Sequence, residues 1–516
     1  MITIKIMSKK TTLMPDFRTK PEFSILQRSL LTFRCPRNNI WEYDIVFPHA
    51  LIYKFSSVFQ HILLKNEIRV TMLKKEKVFL ISLGCAKNLV DSEHMLGILS
   101  HSGFRLTEQA EEADIVIVNT CGFLQTAVEE SIDVIFETAR LKTSGKLKHL
   151  IVAGCFVQRY GYKLMQEIPE VDVWIGTGEI DKIAEAVMNK DSGRQTEFFI
   201  GRPTRLPDHR LPRIQTTPFY TSYLRIGEGC SHRCSYCIIP NLRGSFRSRG
   251  MESLLIEARE MASRGVKEIN LIAQDTSYYG KDLKTGPFLE DLLEKMVTID
   301  GIAWIRLLYL HPYGITERLL DLIESHEVIA PYLDLPLQHS NQELLRSMGR
   351  PPSQEAPMEL IERIRRRKRE MSIRTTLMVG FPGETEAMFK QMREFIETAE
   401  FEHLGVFVYS AEKGTPAARL KPVVDHDIAE NRRAELMGAQ ASISRKNNRK
   451  MVGKIFPVLM EGPCPETELL LCGRTAGMAP EVDRRVLINK GEGIVGEIMP
   501  VRITEAHDYD VVGEIL

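Results

Sequence analysis

The chain has 516 residues, 43% hydrophobic and 26% charged, with 68 Lys/Arg balanced by 68 Asp/Glu. That length predicts three or four domains of about 100–200 residues each. Zero net charge excludes a globally basic nucleic-acid coat and an acidic-tail protein, and the composition excludes collagen-like and disordered chains.

Residues 1–71 lack sustained period-2 or period-3.6 patterning and carry eleven Lys/Arg against five Asp/Glu before Lys74. They read as a disordered basic arm, or as upstream sequence ahead of a true start at Met72. The most apolar stretch, Val46 to Leu64, is broken by Pro48, His49, Lys54, Gln60 and His61. A membrane span needs about 20 largely apolar residues, so none is expected. No apolar segment precedes a small-residue cleavage site either, and the expected compartment is the cytoplasm.

From residue 72 the pattern becomes strand, turn, helix. Strands are predicted at Val78–Leu83, Asp114–Val118, His149–Ala153 and Val171–Ile175, with helices near 89–100, 124–141 and 180–188. Short continuous apolar strands alternating with helices imply a doubly wound parallel sheet over residues 72–200. Cys85, Cys121 and Cys155 each fall just past the carboxyl end of a strand, the edge where such sheets bind ligands. A lone buried Cys is usually a small hydrophobe. Three at equivalent positions point to a shared centre, either an iron–sulfur cluster with one iron left open or zinc completed by a fourth ligand or water. Nine cysteines in all, an odd number, also favour metal or redox chemistry over a disulfide framework.

Residues 201–218, GRPTRLPDHRLPRIQTTP, read as a linker. A strand at Tyr220–Ile226 then leads into Cys230, Cys234 and Cys237 with C-x3-C-x2-C spacing. Three thiolates in one loop can bind three irons of a 4Fe–4S cluster and leave the fourth for a chelating ligand. His232 as a zinc ligand would be cramped. Five further strands are predicted at Glu268–Ala273, Trp304–Leu310, Tyr332–Leu337, Ile373–Val379 and His403–Tyr409. Six βα units over residues 219–451 suit a partial (β/α)6 barrel, short of the eight that close one. At the strand ends lie Gln274-Asp275-Thr276, Gln338-His339-Ser340 and the turn Gly380-Phe381-Pro382-Gly383-Glu384. Arg363 to Arg369 form a basic run on a helix expected over 357–371. It reads as a solvated face, with contact to ribosomal RNA the lesser alternative, and Arg432 to Lys450 is read in the same way.

Residues 452–516 read as five short strands, a small all-β barrel of the OB-like kind. Six Lys/Arg face eleven Asp/Glu there, about −5. Such a surface repels phosphate and suits a basic protein partner. Cys464 and Cys472 have no partner pair that would make them metal ligands.

The stretches SLGCAKNLVDSE (82–93), NTCGF (119–123), AGC (153–155), EGCSHRCSYCIIP (228–240) and GRTAGMAPEVDRRVLI (473–488) together resemble the methylthiotransferases of the radical S-adenosylmethionine (SAM) superfamily. The resemblance spans residues 77–516 and is closest to the branch that modifies an aspartate of small-subunit ribosomal protein S-twelve. It implies an auxiliary-cluster domain, a radical SAM core and a C-terminal TRAM domain. It implies two 4Fe–4S clusters, with Cys230, Cys234 and Cys237 on the SAM-binding one and Cys85, Cys121 and Cys155 on the auxiliary one. One SAM would donate a methyl group to a sulfur on the auxiliary cluster. A second would give the radical that takes hydrogen from the aspartate β-carbon. Tyr236, Asp275, Gln338, Gly380, Gly383 and Glu384 are the expected SAM pocket. Expected partners are S-twelve or the small ribosomal subunit, a flavodoxin- or ferredoxin-type electron donor and a sulfur donor, without stable tRNA binding. The alternatives are a tRNA adenosine methylthiotransferase and a non-catalytic metal-binding ribosome assembly factor.

Overall fold

A computed structural model describes residues 29–34, 40–45, 76–188, 197–204, 206–350, 355–465 and 467–516. The chain divides into two compact units, one over Met7–Glu76 and one taking in Lys77–Leu516. In the first, Ser29–Arg34 and Ile40–Ile45 form an antiparallel pair with Ser29 opposite Ile45 and Arg34 opposite Ile40. Patterning alone gave no element there. The segments Leu30-Leu31-Thr32-Phe33 and Ile40-Trp41-Glu42-Tyr43 are nonetheless rich in strand-favouring residues. The rest of the extension, Cys35 included, lies outside the described residues.

The second unit opens with a six-stranded parallel sheet. Its order is Arg105–Leu106, Lys77–Ser82, Ile115–Thr120, His149–Gly154, Val173–Ile175 and Glu197–Phe199. Both faces are buried. Val116, Val118, Leu150 and Val152 pack on one side with Phe156 and Trp174. Ile115, Ile117, Ile151 and Ala153 pack on the other with Met95 and Leu99. The two outer strands are too short to announce themselves in sequence. From Lys77–Ser82 the chain steps outward to Arg105–Leu106 and then returns to Ile115–Thr120 on the far side. That reversal puts a ligand crevice at the carboxyl ends of those two strands.

The segment read as a linker is a packed strap. Arg213 donates to Glu93 Oε2 through Nε at 2.9 Å and Nη2 at 2.6 Å. Thr216 N and Oγ1 both donate to Glu93 Oε1, at 2.6 and 3.0 Å. Glu93 itself is fully buried. Proline-rich composition indicated an irregular backbone but could not say what that backbone lies against.

Six parallel strands follow, Thr221–Arg225, Glu268–Ile272, Trp304–Leu307, Ile329–Gln338, Ser372–Val379 and His403–Val408, each paired with the next in chain order. A 24-residue helix, His426–Arg449, closes the domain, with Asp425 capping its start. Four side chains of the basic run are engaged within the fold, while Arg366 and Lys368 stay exposed. The helix of the run stops at Arg365. Arg363 pairs with Glu355 and Glu317, Arg365 with Glu402, and Arg367 with Glu317, Asp321 and Glu324. Arg369 donates to the carbonyls of Ile323, His326 and Glu327.

The last five strands, Ile455–Cys464, Thr467–Thr475, Val486–Lys490, Ile498–Ala506 and Val511–Ile515, form a closed barrel. The 474–484 segment docks on residues near the amino ends of the central strands. Buried Glu268 accepts from Arg306 Nε at 2.9 Å and Arg474 Nη2 at 2.7 Å. Asp483 accepts from Tyr332 Oη at 2.7 Å and Arg374 Nη1 at 2.5 Å. Part of the acidic excess of the tail therefore points inward and holds two domains together, so net charge overstates the acidity of its surface. Cys464 and Cys472 are buried in this barrel. Among the described residues no helix is long and apolar enough to cross a membrane.

Candidate active site

Glycine geometry draws the first three cysteines together. Gly84 has φ +90°, and a Cβ there would stand 2.9 Å from Cys121 Cβ and 3.3 Å from Cys121 Sγ. A Cβ on Gly122 would stand 2.8 Å from the Cys155 carbonyl carbon. Gly154, at φ +103°, would meet Asn119 Oδ1 at 2.5 Å. Only hydrogen fits at these points. Cys85 lies just ahead of the helix Ala86–His101, and Cys155 opens the helix Cys155–Tyr160.

Their environments differ. Burial, with the neighbouring thiols adding to it, pushes Cys121 up to about 12. Burial raises Cys155 as well, against the opposing pull of Arg243. Burial would also raise Cys85, but Lys87 and Arg243 outweigh it and hold that thiol below its usual value. The Cys85 thiol is open to solvent although protein surrounds it.

Arg243, which sequence reasoning did not single out, bridges this triad to the central domain. Its Nη2 donates to Cys155 Sγ at 3.4 Å and Asn88 Oδ1 at 3.1 Å. Its Nη1 donates to Asp91 Oδ2 at 2.8 Å and Glu228 Oε1 at 3.3 Å. Glu228 also accepts from Gln274 Nε2 at 2.8 Å and stands two residues before Cys230. A buried polar network thus runs from the first triad to within two residues of the second. Lys87, also unmarked in sequence, lies with its ammonium 3.2 Å from the Tyr309 ring centroid. Burial opposes its charge, but Tyr309 and Cys85 hold its pKa above the usual value.

The second triad sits in a loop pinned from several sides. Ser235 N donates to Met348 O at 2.8 Å, Ser235 Oγ to Ser347 O at 2.8 Å, and Ala417 N to Ser235 O at 2.8 Å. Gly229, at φ +81°, approaches Ser245 so closely that a Cβ would lie 2.3 Å from its carbonyl oxygen. Burial raises Cys230 to about 11 and Cys237 to about 12. Arg350 is buried facing Cys234 and Tyr236, and donates to the carbonyls of Pro336 and Leu337 at 2.5 and 3.1 Å.

The residues expected around SAM divide into two groups. Tyr236 is half-buried beside the cysteines, and burial raises its hydroxyl pKa. Gln338 ends its strand at φ +72°, a left-handed conformation that is uncommon for a side chain of this size. Asp275 and Glu384 face inward. Asp275 Oδ2 is 2.6 Å from His232 Nε2, and Asp275 Oδ1 accepts from Ser277 Oγ at 2.6 Å. Those bonds outweigh burial and hold its carboxyl below the usual range. His232, so engaged, stacks on His311 at 4.1 Å and is turned away from the role of a metal ligand. Glu384 accepts from Gly380 N and from Arg432 Nη1, shaping the turn of Gly380 and Gly383 from within. His339 is fully buried, accepts from Asn341 N at 2.9 Å through Nδ1, and has no partner on Nε2. Burial lowers it to about 4.

The donor chemistry fits iron–sulfur ligation. Each triad offers three free thiols on a backbone too tight for larger residues, and metal binding would displace their protons. Among the described residues no three His, Cys, Asp or Glu side chains close around a lone metal ion.

Three sequence families match consecutive parts of the chain. They are the uncharacterised protein family UPF0004 over 77–176, the Radical SAM superfamily over 224–396 and the TRAM domain over 452–516. The chain is 48% identical over 442 residues to the ribosomal protein uS12 methylthiotransferase RimO of Pelobacter propionicus, covering 86% of this chain and 98% of that one. It matches the protein of the same name from Geobacter sulfurreducens at 48% over 442 residues, 86% and 99% of the two chains. Among solved structures, the radical S-adenosylmethionine methyltransferase TsrM of Kitasatospora setae superposes with a TM-score of 0.51 at 14% identity, over 72% of this chain and 89% of that one. That likeness concerns the fold alone. With this identity over nearly the whole of those relatives, the chain belongs to the RimO family of radical SAM methylthiotransferases.

Proposed function

We propose that the chain adds a methylthio group to ribosomal protein uS12, at the β-carbon of an aspartate, as a radical SAM transferase. The observation that carries this reading is the pair of thiol triads on either side of a domain boundary, with Arg243 reaching from Cys155 to Glu228, two residues before Cys230. Cys230, Cys234 and Cys237 would hold the 4Fe–4S cluster that takes SAM, and Cys85, Cys121 and Cys155 the auxiliary cluster. When bound, these groups supply methyl transfer, reductive SAM cleavage and an open iron for the added sulfur. The protein's own residues place and shield them. Glycines bring the thiols close, Arg243 donates to one of them, and the 347–350 segment fixes the central loop. Asp275 acts on that loop through His232, Glu384 shapes the Gly380–Gly383 turn, and Tyr236 and Gln338 would face SAM. The reaction needs a flavodoxin- or ferredoxin-type reductant and a sulfur donor, and the expected setting is the cytoplasm.

The test is anaerobic reconstitution with iron and sulfide, followed by SAM, a reductant and uS12, with mass spectrometry of the product. uS12 should gain one methylthio group in place of hydrogen. If a tRNA substrate gains the group while uS12 does not, the substrate assignment falls.

A further inference from the structure

An enzyme that works on the β-carbon of an aspartate must hold the adjoining carboxylate still. The inference below rests on that reading of the substrate. Three of the cations around the triads are already committed. Arg243 serves Asp91, Glu228, Asn88 and Cys155. Arg225 serves Asp91 and Glu228. Arg350 serves two backbone carbonyls.

Lys87 is different. It is only 8% exposed, yet among the described residues no carboxylate forms an ion pair with its ammonium. Its contact is the face of Tyr309. Asp334, a carboxylate that also acts on it, accepts from Tyr309 N at 3.0 Å and faces Arg374 at 3.9 Å. Burying an ammonium is expensive, and Tyr309 and the Cys85 thiol offset that cost here without a paired carboxylate. Tyr309 itself sits at φ +59°, a strained backbone for a bulky side chain, and strain of this sort gathers at binding sites. Cys85, two residues before Lys87, has its thiol exposed. Leu89 and Val90 of the same helix pack against Tyr223, Ile272 and Leu308 of the central strands, which fixes this turn over the strand ends.

We propose that Lys87 is the specificity-determining residue that binds the carboxylate of the acceptor aspartate, with the Tyr309 ring as its shelf and the Cys85 side of the auxiliary triad alongside. A neutral amide or a nucleobase brings no opposite charge to this ammonium, so the site selects against both.

The test uses full-length reconstituted enzyme as wild type, Lys87→Met and Lys87→Gln. It uses uS12 carrying either its acceptor aspartate or asparagine in that place. Binding without turnover and KM with turnover are both measured, and iron content reports whether each variant keeps its clusters. Wild type should prefer the aspartate form by about 30-fold, as expected when one member of a desolvated charge pair is removed. Both neutral variants should bind the two forms equally. Lys87→Gln is the deciding variant if Lys87→Met does not retain iron. Wild-type preference for aspartate in either iron-loaded variant overturns the proposal. If wild type leaves uS12 unmodified, the substrate reading fails first and takes this inference with it.

Discussion

Arg243 Nη2 lies 3.4 Å from Cys155 Sγ, and the two residues stand on helices of different domains. The same guanidinium is 3% exposed and holds Asp91 and Glu228. A cation so placed both orients a thiol and neutralises two buried acids.

Arg243→Leu should therefore lower stability by about 3 kcal/mol, because it leaves Arg225 as the one guanidinium between two buried carboxylates. Denaturant unfolding of the cluster-free protein measures this. Adding Asp91→Asn should recover part of the loss, since the stranded charge goes with it. Strictly additive losses would show that the pair does not couple.

The two triads should be separable by substitution. Cys234→Ala should lose about four irons and all 5′-deoxyadenosine formation. Cys121→Ala should lose a similar amount of iron, keep SAM cleavage and form no methylthiolated uS12. Product at the normal rate from Cys121→Ala would make that residue part of the core only.

Glycine substitutions should reproduce that division without touching a sulfur. In Gly84→Ala the new methyl would press on Cys121, so iron of the first triad should be lost selectively. In Gly229→Ala it would press on the Ser245 carbonyl, and the second triad should suffer. Iron analysis with electron paramagnetic resonance of each variant distinguishes the two outcomes.

Acid should loosen the C-terminal barrel. Burial would raise the Glu268 carboxyl, but Arg474 and Arg306 outweigh it and hold it at about 2, against an ordinary 4.5. A carboxyl depressed on folding stabilises fully above its unfolded value. That contribution fades as pH falls from about 4.5 towards 2. Glu268→Gln should be less stable at pH 7 and lack this component of the acid slope. Thermal unfolding across that pH range provides the check.

Six cysteines and the strand–helix alternation were legible because both are local. Thiols at strand ends follow from spacing and period alone. Lys87 and Arg243 were not legible, since each acquires its meaning only when helix Ala86–His101 meets the central strands. Asp483 illustrates the same limit. Counted as one more negative charge it suggested an acidic surface, whereas its carboxylate lies under Arg374 and Tyr332. Arg363, Arg365, Arg367 and Arg369 read as exposed until their partners came into view.

The Glu93 strap has a mechanical consequence. Prising the auxiliary domain off the core would tear Arg213 and Thr216 from a fully buried carboxylate. The protein is therefore built as a fixed vice and not as a clamshell. Any widening of the jaws would first have to break those bonds.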